Sequence, residues 1–112
     1  MQIQIQAIGN VQVIEIIGDI DASTAPKMTE TLLPLVGQDS RLLLDMTKVP
    51  YMSSAGLRTL LSLARQAKNK NGQAVLVGLS EELTDTMSVT GFLSLFITKP
   101  TKAEGLAVLA KK

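Results

Sequence analysis

Cysteine, histidine and tryptophan are absent from this chain of 112 residues. Without cysteine there is no disulfide and no thiolate to act as nucleophile or metal ligand. Without histidine the commonest general base at neutral pH is missing, and with it a common metal ligand. Aromatics are scarce. Tyr51, Phe92 and Phe96 make up the whole 3%, so the core must be aliphatic. Charge of one sign is scarce as well: the net charge is +1, and Lys68 with Lys70 and Lys111 with Lys112 are the nearest approach to basic clusters. A nucleic-acid binder shows a basic stripe, and single-strand binders add stacking aromatics. Neither is present, so nucleic acid is not an expected partner. No apolar run reaches the ~20 residues that cross a bilayer. The opening "MQIQIQAIGN" has neither the charged region nor the apolar region of a signal peptide. The expectation is a soluble, cytoplasmic protein with no membrane partner.

What is present suits an ordinary globular fold. Hydrophobic residues form 46% of the chain, with no low-complexity tract. The length fits one domain spanning residues 1–112. A domain of this size buries roughly two-thirds of its unfolded surface and needs no staple.

"MQIQIQA" alternates strictly, with Ile3 and Ile5 on one face and Gln2, Gln4 and Gln6 on the other. This is the pattern of a half-buried strand. Gly9-Asn10 is a turn pair, and "VQVIEII" is rich in β-branched residues, so an antiparallel hairpin is expected. In "GDIDASTAP", Ser23 or Thr24 is placed to cap a helix with Pro26 in its first turn. Met28, Leu32 and Leu35 recur at helical spacing, widened by Ala25 and Val36, and Pro34 ends or kinks the run. "RLLLD" fits a strand covered on both faces, and "MTKVPYM" reads as a connection. A second helix carries Leu57, Leu60, Leu61, Ala64 and Ala67 on its apolar stripe, with Arg58, Ser62, Arg65, Gln66 and Asn69 outward. "QAVLVGL" is another buried strand. Ser80 then caps a helix with acids in its first turn and Leu83 and Met87 on a narrow apolar face. "FLSLFI" reads as a last strand, and "TKAEGLAVLA" as a last helix with Leu106, Leu109 and Ala110 at helical spacing. The fold class is α/β: a mixed, mainly parallel sheet with an N-terminal β-hairpin and about four helices.

Parallel strands bring their carboxyl ends to one edge, where sites in such folds gather. Residues 18–24, 46–53 and 78–80 should meet there. Asp19 and Asp21 would then approach Ser53 and Ser54. A nucleophilic serine needs a base within reach, and no histidine exists. Lys48 lies in a polar loop. Asp19 and Asp21 could share acid–base work or bind a divalent ion, or serve only as turn residues. "SSAG" opens a helix, whose free N–H groups attract anions, but no phosphate-loop motif accompanies it. That leaves a nucleotide-binding domain open as an alternative. A modified serine is the third option. A phosphoryl group adds about −1.5 to −2 charge, which the helix N-terminus favours, and Arg58 four positions beyond Ser54 could pair with it. A docked partner would then have to bury that charge. The plainer alternative is that either serine is only an N-cap.

"GDIDASTAPKM", "LLLDMTKVPYMSSAGLRTLL" and "LTDTMSVTGFLSLFITKPTKAEGLAVL" together resemble the STAS domain, and within it the bacterial anti-sigma factor antagonists. The resemblance spans nearly the whole chain. It implies a binding module with no catalytic residue and no cofactor or metal. Unphosphorylated, it would bind an anti-sigma factor that is also a serine kinase. Phosphorylation would switch it off, and a metal-dependent serine/threonine phosphatase would restore it. The resemblance puts the phosphoacceptor at Ser54, followed by Ala55, Gly56 and Leu57, and puts Asp21 in the kinase-contact edge. The expected interface comprises Asp21, Ser23, Thr24, Tyr51, Met52, Ser53, Ala55, Gly56, Arg58, Ser80 and Met87, with Tyr51 and Met52 as exposed apolar anchors. The family's aspartate before the acceptor is Ser53 here, which leaves beside the first a second hydroxyl that could itself be the one phosphorylated. A STAS scaffold or sensor module with no sigma factor shares these motifs.

Overall fold

The structure, a computed structural model, describes residues 1–110; the basic pair Lys111 and Lys112 lies outside them. Strands β1 (Gln2–Ile8) and β2 (Val11–Ile17) form the hairpin, turning through Gly9-Asn10. Helix α1 (Ala25–Leu32) follows, then a 3₁₀ turn at Leu33–Leu35, β3 (Arg41–Lys48), α2 (Ser54–Asn69), β4 (Gln73–Val77) and α3 (Glu81–Val89). A second 3₁₀ turn at Leu93–Leu95, β5 (Ile97–Lys99) and α4 (Lys102–Ala110) complete the described chain. The five strands lie in the order β1-β2-β3-β4-β5, with β1 antiparallel to β2 and every other pair parallel.

Strand alternation divides the core in two. Ile14, Ile16, Leu42, Leu44, Met46 and Leu76 face α1, α2 and α3, meeting Met28, Leu32, Leu57, Leu60, Leu63 and Met87. Val11, Val13, Leu43, Val75 and Val77 face the other way, onto Leu109 of α4. Strands buried on both faces read as continuous apolar runs, which is why "LLL" and "VLV" sit at the centre of the sheet. Helix α4 comes very close: a Cβ on Gly105 would lie 2.6 Å from Val77 Cγ1 and 2.9 Å from Leu43 Cδ1.

Four expectations need correction. The last strand is Ile97–Lys99 rather than "FLSLFI". Phe92, Leu93 and Phe96 pack on the core at helical spacing, and the intervening turn is 3₁₀. Strand β3 runs on through Met46, Thr47 and Lys48 because Met46 is still fully buried. On α4, Ala110 is exposed and Gly105 takes the inward place beside Leu109. Ile5 is 43% exposed, because β1 is an edge strand that the helices barely cover.

Candidate functional site

Residues 18–24 leave the carboxyl end of β2, and residues 49–53 leave that of β3. The two segments are zipped together by an isolated parallel bridge between Ile20 and Met52. The Ile20 N–H donates to the Tyr51 carbonyl at 3.0 Å, and the Ser53 N–H donates to the Ile20 carbonyl at 2.8 Å. Gly18 adds a third tie, donating to the Lys48 carbonyl at 3.0 Å. This places Asp19 and Asp21 immediately beside the Tyr51–Ser53 strand, as the topology requires. Residues 78–80 close the edge from the other side: Gly78 abuts Thr47, and Ser80 and Glu82 share a shallow depression with Lys48, Val49 and Pro50.

The two serines are not equivalent. Ser53 is the N-cap of α2: its Oγ accepts the Gly56 N–H at 3.2 Å and its carbonyl accepts the Leu57 N–H at 2.9 Å. Ser53 is half-buried. Ser54 is the first residue of the helix, is exposed, and its hydroxyl makes no hydrogen bond among the described residues. No acidic residue stands in the first turn of α2, so the positive end of its dipole is uncompensated. By contrast, α3 has Glu81 and Glu82 in that place, with Ser80 Oγ accepting the Leu83 N–H at 3.1 Å. Arg58 is exposed one turn into α2. The ion pair found among the described residues, Lys48 to Glu15 at 3.5 Å, leaves Arg58 unengaged. Ala55 is half-buried and Gly56 is buried.

Asp21 organises its own loop. Its carboxylate accepts the Ser23 hydroxyl at 2.7 Å, the Ser23 N–H at 2.9 Å and the Thr24 N–H at 3.1 Å. The Ser23 hydroxyl, then the Thr24 N–H, stabilise the charged form and hold the Asp21 carboxyl below its ordinary value of 3.8. Neither Ser23 nor Thr24 caps α1 with its side chain, contrary to expectation. The Thr24 Oγ1 instead accepts the Asp21 N–H and donates to the Asp19 carbonyl, each at 2.9 Å, stapling the loop. Among the described residues no three carboxylates gather as a metal site would require.

Two side chains of the expected interface lie inside, one of them an expected anchor. Met52 is 4% exposed, because its bridge to Ile20 turns the side chain into the core, and Met87 is fully buried on the inner face of α3. Tyr51 is 54% exposed and stays on the surface. Sequence reasoning passed over Ile20, which is fully buried. An isoleucine between two aspartates in an otherwise polar loop was the available signal.

A sequence profile of the STAS domain matches residues 2–105. The chain belongs to the STAS domain family. This STAS domain is 34% identical over 92 residues to the anti-sigma-B factor antagonist of Bacillus subtilis, covering 82% of this chain and 84% of that protein. A crystal structure of an anti-sigma factor antagonist from Mycobacterium paratuberculosis superposes with a TM-score of 0.86 at 21% identity, covering 98% of this chain and 94% of the other. The Bacillus cell fate determinant SpoIIAA in its phosphorylated form superposes with a TM-score of 0.70 at 16% identity, over 95% and 97% of the two chains. No described helix is long and apolar enough to cross a membrane.

Proposed function

We propose that this STAS domain is an anti-sigma factor antagonist whose binding is switched by phosphorylation of Ser54. The observation that carries the reading is the division of labour between two adjacent hydroxyls. Ser53 Oγ is committed to the Gly56 N–H, whereas Ser54 Oγ is exposed at a helix N-terminus with no acid in its first turn. The curated relative supports the function, and the solved phosphorylated relative of the same fold supports the chemistry.

In the unmodified state the carboxyl edge of the sheet is neutral and open at Tyr51, Ser54 and Ala55, flanked by Asp21, Ser23, Thr24, Arg58 and Ser80. An anti-sigma factor docks there and releases its sigma factor. The anti-sigma factor is also a serine kinase: it transfers the terminal phosphoryl group of ATP to Ser54 Oγ, the hydroxyl proton leaves, and ADP departs. The new charge of about −1.5 to −2 is tolerated by the helix N-terminus and Arg58. It is not tolerated in an interface that must desolvate it. A metal-dependent serine/threonine phosphatase hydrolyses the ester and resets the switch. The domain itself is a binding protein without catalytic activity or cofactor, and it acts in the cytoplasm.

The test is affinity capture from a native-host extract with wild-type protein and with Ser54→Asp. Wild type is expected to retain an anti-sigma factor that Ser54→Asp loses. Equal retention by both, or capture of no anti-sigma factor by wild type, would contradict the reading.

A further inference from the structure

The two edges of the sheet are built differently. The β5 edge is three residues long, carries Lys99 and stops at Pro100. Short length, lysine and proline are the ordinary means of keeping an edge strand from pairing. The β1 edge has none of them. Its seven residues, "QIQIQAI", contain no charge, proline or glycine, and its register with β2 runs without a bulge. One whole side of its backbone ladder is therefore open. The alternation leaves Ile3, Ile5 and Ala7 on the face that carries α1, α2 and α3, where Ile5 stays 43% exposed.

We propose that β1 pairs antiparallel with β1 of a second copy of this chain about a two-fold axis at Ile5, joining two five-stranded sheets into one of ten. The strand is complementary to itself in that register. All seven residues pair: Gln2 lies opposite the partner's Ile8, Ile3 opposite the partner's Ala7, Gln4 opposite the partner's Gln6, and Ile5 opposite the partner's Ile5. Residues directly opposite share a face, so the half-covered apolar stripe meets its own copy and Ile5 is buried. Gln4 and the partner's Gln6 meet on the other face, where each amide can donate to and accept from the other. A slip of one residue in either direction would set Ile5 opposite a glutamine of the partner strand and break this matching. No like charges are brought together, because the strand has none. Seven residues a side fall short of the roughly 20–30 a side in a standard stable interface, so the pairing is weak and reversible. The site edge around Ser54 is not part of this contact, and the inference does not depend on the proposed function.

Sedimentation equilibrium of the full chain tests it. The weight-average mass is expected to rise from monomer toward dimer between micromolar and millimolar concentration. Gln4→Lys/Gln6→Lys, at two exposed positions, should stay monomeric, as should Gln4→Glu/Gln6→Glu. An equal mixture of the two variants should associate again, because opposite charges then face each other across the axis. Because the chain has no cysteine, Ile5→Cys should form an interchain disulfide under mild oxidation. A monomeric mass at every concentration would overturn the proposal and leave the edge open to an extended segment of another protein. A dimer that persists in Gln4→Lys/Gln6→Lys would overturn it in favour of another surface.

Discussion

Gly56 sits against Ile20 so closely that a Cβ would lie 2.6 Å from the Ile20 carbonyl oxygen and 2.7 Å from its Cγ2. The same carbonyl accepts the Ser53 N–H. One contact thus seats the first turn of α2 on the loop after β2 and fixes the position of both serines. Gly56→Ala sets two effects against each other. Alanine gains about 1 kcal/mol of helix propensity, but the clash is with backbone, which cannot rotate away, and overpacking costs about 1–3 kcal/mol. The clash should win. Urea denaturation is expected to show a net loss of stability, and a more stable variant would show that the loop yields.

Ser53 and Ser54 should separate cleanly under alanine substitution. Ser53→Ala removes the cap on the Gly56 N–H and is expected to cost about 1 kcal/mol. Ser54→Ala removes an exposed hydroxyl and should stay within about 0.5 kcal/mol of wild type. Equilibrium denaturation of the two variants measures both. Equal losses would mean that the hydroxyls share the capping role.

Ser54→Asp adds a negative charge to a helix N-terminus that has no acid in its first turn. The variant should be as stable as wild type or more stable, by about 0.3–1 kcal/mol at low ionic strength. The gain should shrink as salt is added. A marked destabilisation would mean that the charge itself disturbs the fold, and loss of partner binding by this variant could then not be read as a switch.

Tyr51 and Met52 are neighbours with opposite fates. Met52→Ala empties a core position and should cost about 2–5 kcal/mol. Tyr51→Ala should leave stability nearly unchanged and weaken capture of the anti-sigma factor, as loss of an exposed aromatic anchor does. Paired denaturation and capture measurements distinguish them. A Tyr51→Ala protein that binds as well as wild type would remove this side chain from the interface.

Asp21 gives a pH dependence of known sign. Its folded-state pKa is depressed, chiefly by the Ser23 hydroxyl. Its contribution is therefore fully present above the unfolded value of 3.8 and is lost as pH falls through the depressed folded value. As pH falls from about 3.8 through that lower value, wild type should lose stability more steeply than Asp21→Asn, which keeps an oxygen acceptor but does not titrate. Identical acid profiles from denaturation at stepped pH would contradict the assigned hydrogen bonds.

The central sheet was legible in the sequence because its strands are unambiguous. "LLL" and "VLV" can only be covered on both faces, and the leucine stripe of α2 repeats without interruption. The last strand was not legible: "FLSLFI" is a short apolar run, and periodicity over six residues does not separate a strand from a helical turn. The site was half legible. Topology was enough to bring residues 18–24 to residues 49–53. It could not reveal the Ile20–Met52 bridge, which draws Met52 inward, because a single pairing between two loops leaves no periodic trace. Nor could "SS" show which hydroxyl is the cap. That follows from where the helix begins, and helix boundaries are the least readable feature of a sequence.

The most direct measurement is peptide mass spectrometry on the protein purified from its native host. Phosphate is expected on Ser54 and none on Ser53, because Ser54 is the exposed and uncommitted hydroxyl. Phosphate on Ser53, or none on either serine across growth conditions, would contradict it.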